Sequence, residues 1–296
     1  MKKIPKTLDS AELAELARKD VAAALAEDLG AGDLTAGLID PNRTARARIL
    51  ARESAVLCGA PWVTAALTAL DPQVQLTWHV AEGQRCAANQ TVLDIQGSAR
   101  ALLSAERTAL NFLQLLSGVA TKTATYVAAV AGTRAQIVDT RKTLPGLRLA
   151  QKYAVRTGGG VNHRIGLYDA ILIKENHIAA AGGIAAVLAQ ADALSATADF
   201  VEIEVETLEQ LQEALTHGAA MVLLDNMDLP TLRAAVAINQ ELGASRSTGP
   251  AILEISGGVT LEGLRTLAET GVDRISIGVL TKDVSATDFS MRFEAL

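Results

Sequence analysis

The chain has 296 residues, 49% of them hydrophobic and 20% charged, with a formal net charge of −6. That length and apolar content support one large or two ordinary domains with a buried core. The acidic balance argues against a general nucleic-acid or membrane-surface binder, because no broad positive field gathers phosphates; any anion site has to be local.

Two cysteines, Cys58 and Cys86, show no CxxC spacing, no apolar run follows Lys2 and Lys3, and no stretch approaches the ~20 apolar residues that span a bilayer. A reducing cytoplasm is the expected compartment. In chain order, Ser10 is the expected N-cap of a helix whose apolar residues recur at Leu13, Leu16, Val21 and Leu25 and which stops at Gly30. From about 44 to 96, short alternating runs such as RARILARE and VQLTWHV predict an antiparallel sheet with a helix near 61–70. A second helix follows from about Ser98 to Leu116, and Gly118 is expected to end it.

From 137 onward the pattern becomes a short apolar strand, a polar or glycine-bearing turn, then a helix. The predicted strands are Ile137 to Asp139, Ala170 to Ile173, Val201 to Val205, Met221 to Leu224, Ala251 to Ile255 and Arg274 to Ile277. Such alternation implies parallel strands covered by helices, in a doubly wound sheet or a (β/α) barrel. Polar residues cluster at the strand C-termini: Thr140, Arg141 and Lys142, then Lys174, Glu204, Asp225, Ser256 to Gly258, and Gly278. Barrels place their active sites there, so the pattern favours an α/β fold with an incomplete (β/α) barrel of six units. The preceding residues form a mixed α+β N-terminal domain. The expected division is 1–118 for that domain and 119–284 for the barrel, with the tail 285–296 a candidate to pack on the first.

Between Thr140 and Tyr168 there is no Asp or Glu, yet the stretch holds Arg141, Lys142, Arg148, Lys152, Arg156, His163 and Arg164. Four-residue spacing makes Arg148, Lys152 and Arg156 read first as a solvated helix face. Arg141, Lys142, His163 and Arg164 flank strand ends and a glycine run, where solvation explains them less well, and guanidinium pairs suit a small dianion. Gly158 to Gly160 end a helix and carry no binding argument on their own. The turns SGG at 256–258 and IGV at 277–279 follow the last two strands, where free backbone N–H groups cradle phosphate in barrels.

Glu202, Glu204 and Glu206 share one face of the strand VEIEVET. Glu204 with Asp225 could hold ribose hydroxyls or Mg²⁺; the competing reading is an outward-facing acidic edge. In the long helix, Glu106 falls among Leu102, Leu103, Leu110 and Leu113, with Arg107 at the margin. Either a core ion pair or a face toward another subunit would account for it.

The stretches ERTALNFLQLLSGVAT, DTRKTLPGLR, KYAVRTGGGVNHRIGLYDAILIKENHI, VEIEVETLEQL, VLLDNM, LEISGGVT and GVDRISIGVLTK together resemble the quinolinate phosphoribosyltransferases, as do EDLGAGDLT and WHVAEG nearer the start. The resemblance implies a two-domain homodimer, or a higher oligomer of it, with shared active sites. Arg107 would enter from the neighbouring subunit, while Arg141, His163, Arg164 and Lys174 grip the quinolinate carboxylates beside Thr140. Lys142 would lie between quinolinate and phosphoribosyl pyrophosphate, Glu204 and Asp225 would hold the ribose with Mg²⁺, and Ser256, Gly257, Gly258, Gly278 and Val279 would receive the 5′-phosphate. Lys142, Lys174, Glu204 and Asp225 are the implied catalytic set. Val279 stands where the family suggests alanine and Ile277 where it suggests valine, changes that leave backbone contacts intact. The competing functions are a paralogue acting on another pyridine or related ring, and a non-catalytic anion-binding homologue. The retained cations speak against the first, and Lys142, Lys174, Glu204 and Asp225 together speak against the second. No GxGxxG follows a strand and no GxxxxGK[ST] occurs, which disfavours dinucleotide and P-loop enzymes.

Overall fold

A computed structural model describes residues 8–294; Lys2, Lys3 and the last two residues of the tail lie outside the described residues. The chain divides into two compact units. One takes the described residues through Ala124, Thr143–Gly159, and those from Leu280 on; the other takes Thr125–Lys142 and Gly160–Val279.

The first unit opens with α1 (Ser10–Leu29). Its N-cap is Asp9 and not Ser10: the Asp9 carboxylate accepts the Ala11 and Glu12 N–H groups at 2.9 Å, and Glu12 accepts the Asp9 N–H at 3.0 Å. A carboxylate there satisfies the first-turn donors and meets the positive end of the helix dipole. Then come β1 (Thr44–Ala51), β2 (Ala55–Val56), α2 (Ala60–Leu70), β3 (Gln75–Trp78), β4 (Arg85–Cys86), β5 (Thr91–Ser98) and α3 (Ala99–Ala129).

Gly118 does not end α3, which continues for eleven residues. Its lack of a side chain answers a packing need instead, since a Cβ at Gly118 would stand 2.2 Å from the Ser285 carbonyl oxygen. The boundary between the units falls inside α3, after Ala124.

The remaining elements are β6 (Gln136–Val138), α4 (Arg148–Thr157), β7 (Ile171–Ile173), α5 (Glu175–Ala181), α6 (Ile184–Leu194), β8 (Val201–Val205), α7 (Leu208–Thr216), β9 (Met221–Asp225), α8 (Leu229–Gly243), β10 (Ile252–Ser256), α9 (Leu261–Ala268), β11 (Arg274–Ser276), α10 (Val279–Lys282) and β12 (Phe289–Phe293). In the first unit, β12 joins β1, β5 and β3 in an antiparallel sheet, pairing with β1 from Ala47↔Phe293 to Ala51↔Phe289. Its α4 is not the solvated face expected from Arg148, Lys152 and Arg156. Lys152 is buried, and the Tyr153 ring lies 5.6 Å from that of Trp62 on α2. The apolar stem of a lysine lets it occupy such a position.

The second unit is a six-stranded sheet in the order β6-β11-β10-β9-β8-β7, every paired neighbour parallel. Strands β6 and β7 are its two edges, so the barrel stays open between them. The segment after Gly160 runs along the β6 edge: the Val161 N–H donates to Ile137 O at 2.8 Å, and the Asp139 N–H donates to Val161 O at 3.1 Å. Short apolar strands such as MVLLD are buried because helices cover the sheet. Among the described residues no single helix is long and apolar enough to cross a membrane.

Candidate active site

The parallel register decides which side chains meet. Glu204 is level with Leu223, Leu223 with Glu254, Glu254 with Arg274, and Asp225 with Ser256. With a period of two, Glu202, Glu204, Asp225, Glu254, Ser256, Arg274 and Ser276 therefore share one face of the sheet.

Toward the strand C-termini this face opens a cleft of about 200 Å³. Thr140, Arg141 and Lys142 after β6, His163 and Arg164 from the edge segment, and Lys174 after β7 line it with Glu204, Ser256 and Ser276. Asp225 closes β9 beside Ser256. The turn after β10 runs through left-handed Gly257 (φ 93°) and Gly258 (φ 59°), a conformation that exposes backbone N–H groups. Gly278 follows β11, and a Cβ there would come within 3.3 Å of Lys142 Cδ, so its bareness leaves the lysine its place. Val279 opens α10.

Of the predicted site residues, Arg107 lies in the other unit, exposed on α3 and bordering a separate cleft with Glu27, Asp28 and Asn111. Glu106 beside it is half-buried. Burial pushes its carboxyl pKa up, and the Arg107 charge opposes that shift.

The cleft is rich in positive charge. Arg164 is only 9% exposed; burial, and then the charge of Arg141, hold its guanidinium pKa below the usual range, while Asp169 and Glu202 oppose that. Its Nη1 reaches the Ala170 carbonyl at a long 3.4 Å. Among the lining residues Glu204 is the carboxylate, and Lys174 Nζ donates to its Oε2 at 2.5 Å.

His163 sits deeper than its neighbours. The Arg164 N–H donates to Nδ1 at 2.8 Å, which makes Nδ1 the acceptor, and Nε2 lies 2.8 Å from Glu202 Oε2, to which it donates. The family resemblance implies a substrate carboxylate for this imidazole; both of its ring nitrogens are bonded within the protein. The ring also packs edge-on against Phe200, 5.3 Å between centroids.

Beneath it, Glu254 Oε1 stands 3.6 Å from Nε2 and accepts the Ser276 hydroxyl. Arg274 Nε is 2.7 Å from Glu254 Oε2, an ion pair too oblique for a good hydrogen bond. Burial pushes both glutamates up to about 7; for Glu202 the Glu204 charge adds to this while Arg274 opposes it, and for Glu254 the Glu202 charge adds. The ligand atoms of His163, Glu202 and Glu254 lie within 4.8 Å of one another, a spacing a metal would accept. Arg274 already supplies the cation, so an ion-pair cluster describes them better. Glu254 was not singled out from sequence, although a lone acid in ILEIS at even spacing to Ser256 marks the same face.

A parallel α/β barrel with a cation-lined cleft and glycine turns at its strand C-termini defines an enzyme class that handles small phosphorylated or carboxylated molecules. Comparison narrows this class. The model described as "Quinolinate phosphoribosyl transferase, N-terminal domain" matches residues 33–117, and its C-terminal counterpart matches 119–292. The probable nicotinate-nucleotide pyrophosphorylase [carboxylating] of Bacillus subtilis is 42% identical over 265 residues, covering 90% of this chain and 89% of the relative. The corresponding Mycobacterium leprae protein is 41% identical, covering 94% and 97%. The solved nicotinate-nucleotide pyrophosphorylase of Francisella tularensis superposes with a TM-score of 0.90 at 40% identity, covering 99% of this chain and all of that one. The chain belongs to the quinolinate phosphoribosyltransferase family.

Proposed function

We propose that this enzyme transfers the phosphoribosyl group of phosphoribosyl pyrophosphate to quinolinate, releasing pyrophosphate and carbon dioxide and forming nicotinate mononucleotide for de novo NAD synthesis. The observation that carries this reading is Arg164, a buried guanidinium beside Arg141, with Lys142 and Lys174 on the same cleft. A planar dianion is the ligand that such a set of cations favours.

The pyridine nitrogen is the nucleophile: its lone pair forms the N–C1′ bond as the bond from C1′ to pyrophosphate breaks. Arg141, Arg164 and Lys174 hold the diacid so that the nitrogen faces C1′. Lys142, exposed at the cleft beside Gly278, stabilises the charge that develops on the departing pyrophosphate. Ribosylation makes the ring cationic, so it can take the electron pair of the breaking C2–carboxylate bond, and a proton then fills C2. Ser256, Gly257, Gly258, Gly278 and Val279 offer N–H and hydroxyl groups to the 5′-phosphate.

Mg²⁺ fits the donor set on the Glu204 side. Glu204 and Asp225 are hard oxygen donors on adjacent strands of one face, and Lys174 occupies one Glu204 oxygen. When bound, the ion neutralises pyrophosphate charge. The test is to combine purified protein, quinolinate labelled in its 2-carboxylate, phosphoribosyl pyrophosphate and Mg²⁺, and to measure labelled carbon dioxide against nicotinate mononucleotide. Equal amounts support the reading; absence of both products sinks it.

The enzyme works in the cytoplasm as a homodimer, or a higher oligomer of it, with Arg107 of one subunit serving the site of the next. Supporting this, Leu34 is 93% and Leu38 83% exposed, and their segment is tied to α3 near Arg107 by the Ser104 hydroxyl donating to Asp33 at 2.7 Å. A second copy would cover such an apolar patch. Inactive Arg107→Ala and Arg164→Ala proteins, mixed so that subunits exchange, should recover roughly a quarter of wild-type activity, as two-fold symmetry requires. Verified mixed dimers that remain inactive would remove Arg107 from the site.

A further inference from the structure

Two carboxylates lie beneath the cleft without a part in the reaction above. Glu202 on β8 and Glu254 on β10 are fully buried, where aliphatic side chains would fill the space without losing hydration. Their bonds do not fully compensate: Glu202 Oε1 is enclosed and has no hydrogen-bond partner. A buried acceptor left in that condition asks for an explanation outside packing.

The other oxygen of Glu202 suggests one. By accepting the Nε2–H of His163 at 2.8 Å it selects one neutral tautomer, and Nδ1 is thereby left to accept the Arg164 backbone N–H at 2.8 Å. The same segment is pinned from outside. Asp139 accepts the His163 N–H at 2.9 Å, and Asp169 accepts the Ile165 and Gly166 N–H groups at 2.6 and 2.8 Å. Glu254, held by Ser276 and Arg274, backs the ring from beneath.

The geometry points to Glu202 as a positioning residue for the substrate clamp: through the Nε2–H tautomer of His163 it fixes the backbone, and so the guanidinium, of Arg164, with Glu254 and Arg274 bracing the imidazole. This rests on Arg164 binding a quinolinate carboxylate, as proposed above. Glu202 is not among the residues lining the cleft, and the phosphate-side turns belong to β10 and β11, so its loss should weaken quinolinate binding selectively.

Steady-state kinetics of Glu202→Gln and Glu202→Leu test this. Gln keeps an acceptor for Nε2–H and should stay within about three-fold of wild type, whereas Leu should raise the quinolinate KM about ten- to a hundred-fold, the scale expected for a group misplaced by roughly 1 Å. The KM for phosphoribosyl pyrophosphate should stay within about two-fold in both. A folded Leu variant with an unchanged quinolinate KM, or with equal losses for both substrates, overturns the proposal.

Should the variants not fold, the wild-type enzyme still decides. Imidazole ¹⁵N shifts, assigned by replacing His79, His177 and His217 in turn, should show His163 neutral and protonated at Nε2. A ring protonated at Nδ1, singly or as imidazolium, overturns the proposal. Wild-type enzyme that makes no product from quinolinate refutes the activity itself, an outcome these measurements keep separate.

Discussion

Nicotinate is quinolinate without the 2-carboxylate, and the cleft should reject it. Arg164 is 9% exposed, its own-protein bond to Ala170 O is long at 3.4 Å, and Arg141 lies near enough to depress its pKa further. With one carboxylate gone, part of that buried positive charge stays unmatched. Hydrogen bonds to a charged group are worth about 1.5–3 kcal/mol, and breaking a buried charge pair costs about 3–5 kcal/mol. Taking about 3–4 kcal/mol at roughly 1.4 kcal/mol per decade, kcat/KM should fall by two to three orders of magnitude. Competition in one mixture measures this directly, with ring-deuterated nicotinate so that mass separates the two otherwise identical mononucleotides. Ratios of kcat/KM within about ten-fold would show that the cations, Arg164 among them, do not grip the second carboxylate.

Lys142→Ala and Lys174→Ala should cut kcat by about a hundred-fold or more while leaving thermal melting nearly unchanged, because Lys142 is exposed and the Lys174 side chain 47% so; parallel loss of melting temperature and activity would make them structural. Glu254 is raised from 4.5 to about 7 in the folded chain. Its folded state thus holds a proton more tightly than the unfolded one. The resulting stability is fully present below about pH 4.5 and is lost as pH rises through about 7, by about 3 kcal/mol at most for one such group. Glu254→Gln should flatten the fall in wild-type melting temperature between those pH values, and an unchanged slope would place the titration elsewhere. Gly118→Ala, which in an ordinary helix interior would gain about 1 kcal/mol, should instead lose about 1–3 kcal/mol through overpacking against the Ser285 carbonyl; a raised melting temperature would refute this.

The barrel was legible because its strands are short, apolar and separated by helices, and because polar side chains recur at one end of them. Six predicted strands match β6 to β11 within one or two residues at each end. The features that the sequence does not reveal depend on contacts distant along the chain. Gly118 looked like a helix stop, since a glycine made necessary by Ser285 is indistinguishable locally from one that caps. Lys152 looked solvated because spacing reports a helix face and not what covers it. Glu204 was singled out by its place at a strand end, whereas Glu254, an acid in the middle of an apolar strand, acquires its meaning only when Arg274 and Ser276 arrive from β11. His163 lines the same cleft as Arg164, but its bonds to Glu202 and to the next backbone N–H cannot be inferred from its neighbours in the sequence.

The pairing of β1 with β12 also bears on how the molecule is made. A ribosome releases β1, β3 and β5 long before Phe289–Phe293, so through most of synthesis the flank of β1 from Ala47 to Ala51 is a bare edge able to recruit a strand from another nascent chain. The unit begun first is completed last. A premature stop or a rigid fusion placed within those few residues would therefore unzip a sheet built near the other end of the polypeptide, and aggregation, more than a loss of catalytic groups, is how such a defect would first announce itself.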